Sequence, residues 1–143
     1  MGKKSASLFQ QDQDRNIVEL EVLETRRHLR LNVNELIRLA NNPTITTDEM
    51  RHQVCLVVER YGTQVAMQLV RSIHREDSHE RESVVWLLIL LNEEETIAPL
   101  RHLSRNKHIP RSIRLSASLV LAGMGVTSEM IANHRRAQLY AIS

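Results

Sequence analysis

The densest run of chemistry-bearing side chains is His74-Arg-Glu-Asp-Ser-His79-Glu80, in which two imidazoles flank Glu76 and Asp77. Imidazole and carboxylate groups bind zinc and other first-row metals when rigid elements make them converge. This spacing matches no zinc motif and crosses an expected helix–loop–helix junction, so the run reads as a solvated charged loop. Cys55 is the single cysteine, and His52 lies three residues before it. A thiol beside an imidazole is the arrangement of a cysteine nucleophile. No orienting acid is identifiable, however, and a free cysteine in a helix is usually a small buried hydrophobe. Gly123-Met-Gly125 closes a helical pattern, whereas a phosphate-binding loop follows a strand. The residues therefore predict no enzyme, no metal and no cofactor.

The elements that must position any site are helical. The chain has 143 residues, 42% apolar and 25% charged, which fits one globular domain. Four glycines and three prolines are too few for the frequent turns of most all-β folds. A single cysteine rules out an intrachain disulfide framework and fits a reducing, cytoplasmic setting. The longest apolar run, Val84–Leu91, falls far short of the ~18 residues of a membrane span. No apolar stretch follows Lys3 and Lys4, so no secretory signal is legible, and Ala6 stands where a myristoylation signal wants Ser or Thr.

Residues 1–11 are polar apart from Leu8 and Phe9 and read as a loose tail. Residues 12–31 read as an N-terminal helix, with Asp12 and Asp14 early, Ile17, Leu20 and Leu23 at helical spacing, and Arg26, Arg27 and Arg30 late. Three blocks then align without gaps: Arg51–Gly62, Arg81–Asn92 and Arg114–Gly125, with starts 30 and 33 residues apart. Each opens on Arg, is apolar or small in the middle, and ends on Gly or Asn, which tolerate the left-handed conformation that closes helices. A shorter amphipathic segment precedes each block, centred on Leu36/Ile37, Leu69/Val70 and Leu100/Leu103. Such spacing belongs to two-helix repeats.

Start signals divide the chain in the same way. Thr46-x-x-Glu49 is a capping box, Thr63 and Ser78 suit N-caps, and Thr96 places Pro99 in a first turn. Residues 127–142 read as a last helix. The expected fold is an all-α single domain, a short solenoid of about three helix pairs over 33–125 with an extra helix at each end. Val54, Val57, Val58 and Tyr61, then Val84, Leu87, Leu88 and Leu91, then Ala117, Val120, Leu121 and Met124 are expected to face its core.

The unit Thr96-IAPLRHLSRNKHIPRSIRLSASLVLAGMG resembles the HEAT-like repeats of the phycobilisome-lyase type: a short helix with an early Pro, a loop, and a helix with Arg near its start and a closing Gly. The resemblance covers about residues 33–125 and implies a superhelix of stacked helix pairs. It implies little about function, because this repeat serves many roles. Deoxyhypusine hydroxylase is built from similar repeats, in which His-Glu pairs just inside the second helices bind two irons. The matching positions here read His52-Gln53, Glu82-Ser83 and Leu115-Ser116, a set unable to make a di-iron centre. Alkylpurine DNA glycosylases share the architecture, and bilin lyase subunits share the repeat, but no motif here singles out a pigment.

In such a repeat Leu56, Trp86 and Leu119, five positions after each Arg, are expected on the concave face, joined by Val85, Ile89 and Leu90. A row of this kind, centred on the only Trp, suits an unidentified protein partner or the pairing of two copies into a homodimer, or else lies beneath the N-terminal or C-terminal helix folded over it. The rival surface is basic. Residues 1–96 hold twelve Lys/Arg against sixteen Asp/Glu, whereas residues 97–143 hold seven against Glu129 alone. Arg101, Arg105, Lys107, Arg111, Arg114, Arg135 and Arg136 could neutralise phosphates of a nucleic acid if they share one surface. The reading that follows is a non-catalytic interaction or scaffold module without a membrane partner, with nucleic-acid binding as the alternative.

Overall fold

A computed structural model describes the backbone of residues 2–126 and the side chains of residues 11 and 13–126. Among them the chain is all-α: six helices and one 3-10 turn, with no strand. The expected C-terminal helix over 127–142 lies outside the described residues.

The first helix, α1, runs unbroken from Gly2 to Ala40. This replaces two expectations, the loose tail over 1–11 and the separate helices on either side of residue 32. Two local reasons account for the continuity. No Pro or Gly interrupts residues 3–40, and Leu29, Val33, Leu36 and Ile37 form one buried stripe at helical spacing across the expected break.

The second helix, α2 (Thr47–Tyr61), starts as its sequence predicts. The Thr46 hydroxyl accepts from the Glu49 amide at 3.1 Å, and the Glu49 carboxylate accepts from the Thr46 amide at 3.3 Å. Helix α3 (Gln64–Ser72) starts without a side-chain cap from Thr63. The cap of α4 (Ser78–Leu91) is Asp77, not Ser78; its carboxylate accepts from the amides of His79 at 2.8 Å and Glu80 at 3.2 Å. A 3-10 turn, Glu94–Thr96, leads into α5 (Ile97–Arg105), and α6 (Arg111–Gly123) follows Pro110. Thr96 does not cap α5: its hydroxyl, almost wholly buried, donates to the Glu93 carbonyl at 2.7 Å.

All three blocks close with a positive φ at the position that the alignment marked: Gly62 at 63°, Asn92 at 49° and Gly125 at 78°. Glycine has no Cβ to clash in that conformation and the short polar side chain of Asn tolerates it, so the recurring Gly/Asn marks real chain reversals.

Successive helices pack in pairs, α1 on α2, α3 on α4 and α5 on α6. Helix α4 is the hub, touching α1, α2, α3 and α6. The nine-residue α3 lets the long α1 reach α4 as well. Val84, Leu87, Leu88, Leu100, Ala117 and Val120 are fully buried, and Val54 and Leu121 nearly so. Val57, Val58, Tyr61, Leu91 and Met124 are half-buried and pack against that core. The phase expected for all three blocks is the phase observed. No helix among the described residues is long and apolar enough to cross a membrane.

Candidate interaction surface

The second helices of the three pairs are α2, α4 and α6, and they carry the expected apolar row. Its ends stand clear of the core: Leu56 on α2 is 48% exposed and Leu119 on α6 is 59% exposed. Its centre does not. Trp86, Ile89 and Leu90 on α4, with Val85, are half-buried and pack against the core. The cause is the position of α4 at the hub, where four neighbouring helices compete for its surface. Ile89 in particular lies in the α4–α6 seam, for a Cβ placed on Gly123 would meet its Cδ1 at 2.4 Å. Of the three equivalent positions, two are therefore exposed and the tryptophan is partly covered.

Sequence reasoning missed Leu115, which is 52% exposed one turn before Leu119 on α6. Its i, i+4 spacing to Leu119 was the available signal.

The His74–Glu80 run turns out to be a structural clasp. Arg81 donates to the carbonyls of Arg75 at 2.7 Å and Glu76 at 2.6 Å, closing the α3–α4 loop onto the start of α4. Arg75 in turn bridges Glu80 at 3.1 Å and the side-chain carbonyl of Asn34 on α1. The Asp77 carboxylate is occupied as the α4 cap, and His79 meets Glu82 only at 3.9 Å with both side chains exposed. Among the described residues no group of three or more His, Cys, Asp or Glu is placed to hold a metal ion.

The block-opening arginines do not share this role. Arg51 meets Asp48 at 3.8 Å in the open, and the Arg114 Nε is buried without a hydrogen-bond partner among the described residues. The serines at the positions where the di-iron family carries ligands, Ser83 and Ser116, are buried and donate to the carbonyls of His79 and Ser112. Cys55 is exposed, which corrects the expectation of a buried hydrophobe. Helix α2 buries only Met50 and Val54, and position 55 falls outside that stripe.

The basic residues divide by element. Arg101 and Arg105 lie one turn apart on α5, Lys107 in the α5–α6 loop, and Arg111 and Arg114 at the start of α6. The structure thus gathers five of the seven onto one helix hairpin; Arg135 and Arg136 lie outside the described residues. No Asp or Glu occurs from residue 97 to 126. None of the five has a salt bridge or side-chain hydrogen bond to another described residue. Just before the hairpin, Glu93 has its carboxyl pushed above the usual range, by partial burial first and by the neighbouring Glu95 second.

A cleft of about 740 Å³ opens between α1 and α3, with Leu23, Arg26, Leu29 and Arg30 on one wall and Met67 and Arg71 on the other. Nothing in the sequence pattern points to it, because its two walls come from segments some forty residues apart.

No protein-family model, no curated protein and no solved structure matches the chain.

Proposed function

We propose that the chain is a non-catalytic protein-interaction module, a short HEAT-like stack of three helix pairs that presents the α2–α4–α6 face to a protein partner in a reducing compartment. The observation that carries this reading is the exposure of Leu56, Leu115 and Leu119 on the second helices of the first and third pairs. Exposed large apolar side chains on the helices flanking a half-buried tryptophan support a protein-interaction patch, with the tryptophan as its anchor. The aligned blocks, their positive-φ ends and the pairwise packing support the stack. In a pull-down from cell lysate, the wild-type chain captures a partner, and Leu56→Asp with Leu119→Asp loses it while helicity and melting stay unchanged. Identical capture by both chains removes the face from the site. Both substituted side chains are exposed, so the variant keeps its core.

The five cations of the α5–α6 hairpin, with no acid from 97 to 126, support a second reading, a nucleic-acid contact. In that case fluorescence anisotropy shows DNA or RNA binding that weakens steeply with salt. Arg105→Glu with Arg111→Glu abolishes it. No binding at low salt leaves the hairpin as a solvated face.

A further inference from the structure

We infer that the α1–α3 cleft is a docking groove for an acidic amphipathic helix of a partner protein, which lays apolar residues on Leu23, Leu29 and Met67 and sets carboxylates against Arg26, Arg30 and Arg71. Other elements line this groove than those of the α2–α4–α6 face, and the inference does not rest on the reading given above.

Two helical stripes make the groove. On α1, Leu23, Arg26 and Arg30 stand at i, i+3 and i+7; on α3, Gln64, Met67 and Arg71 repeat that spacing. Between them lies a volume of about 740 Å³, with Leu29 buried on the α1 wall. Two neighbouring helix surfaces of this kind form a trough into which a third helix packs its ridge, the way amphipathic helices dock in grooves. Most of the lining side chains are exposed, whereas a small-molecule pocket encloses ~70–90% of its ligand. An open trough suits a helix, which keeps its outer face in water.

The charge of the lining says what the partner is. All of its charged residues are arginines and no Asp or Glu lines it, although residues 1–96 hold sixteen acids. From Arg38 to Arg81 every arginine but Arg71 has an acid, a carbonyl or a ring for a partner: Arg38 on Glu35, Arg51 on Asp48, Arg60 on Tyr61, Arg75 on Glu80, and Arg81 on two loop carbonyls. Arg71 donates only to the neutral side chain of Gln68, at 3.4 Å. Arg26 and Arg30 have no salt bridge or side-chain hydrogen bond to another described residue. Guanidinium groups on both walls of an apolar strip are complementary to a helix with carboxylates flanking an apolar stripe. A nucleic-acid backbone would meet the same arginines but leave Leu23, Leu29 and Met67 unmatched, which favours the peptide.

Fluorescence anisotropy on the full chain tests this, with a labelled peptide of ~15 residues built from Leu and Glu, its leucines at i, i+3, i+4 and i+7. The peptide binds at low salt. Combining Arg26→Glu with Arg71→Glu raises its dissociation constant ~10-fold or more, as does replacing its leucines by Gln. The same peptide with Lys for Glu binds the reversed variant and not the wild type. Arg105→Glu with Arg111→Glu, on the α5–α6 hairpin, changes the affinity by no more than about twofold, because those arginines lie outside the groove. All four substituted side chains are exposed, so circular dichroism shows unchanged helicity in both variants. No binding at low salt overturns the inference, as does a loss no larger for the cleft variant than for the hairpin variant. Equal binding of the Gln-substituted peptide overturns it too, and a DNA duplex that occupies the cleft more tightly than the peptide makes it a nucleic-acid site instead.

Discussion

Gly123 shows how much a single position can decide. It ends α6 where that helix crosses α4, and a Cβ there would stand 2.4 Å from Ile89 Cδ1 and 2.7 Å from Cγ1. Alanine is the better helix former by ~1 kcal/mol, but forcing a methyl into a filled seam costs more. Gly123→Ala is therefore expected to lower stability by ~1–3 kcal/mol in urea denaturation. Combined with Ile89→Ala, which empties the seam, the loss is smaller than the sum of the two single changes. The sequence showed Gly123-Met-Gly125 as a helix end. It did not show that the two glycines serve different needs, a close approach at 123 and a positive φ at 125.

At the scale of helices, ends depend on which side chain reaches the free amides. Asp77 holds two of them for α4, so Asp77→Ala is expected to cost ~0.5–2 kcal/mol, and Ser78→Ala far less, by thermal melting. Both residues are good caps by type, which is why the pattern placed the start one residue late. The Thr46–Glu49 box was fully legible because two residues at a fixed spacing satisfy each other. The joining of two expected helices into α1 was not. A missing breaker near Asn32 is weak evidence in sequence, and the decisive fact is the continuous stripe that packs on α2, α3 and α4.

Across the molecule, the periodicity of the three blocks determined by itself that the chain is all-α, where the second helices end and which of their residues face inward. Those features are local: apolar spacing, a cap, a residue that tolerates positive φ. Exposure is not local. Leu56, Trp86 and Leu119 hold equivalent places in their blocks, yet only the tertiary structure half-covered Trp86, because its helix alone lies among four others. The apolar residues from Ile17 to Leu23 look in sequence like those of any amphipathic helix, and the fold leaves them bare. The five cations of residues 101–114 are neighbours in sequence already, and the fold adds the packing of α5 on α6 that carries them. A chain's own pattern specifies which face a helix needs to bury; whether a neighbour arrives to bury it depends on contacts between segments far apart in sequence, and those exist only in the folded molecule.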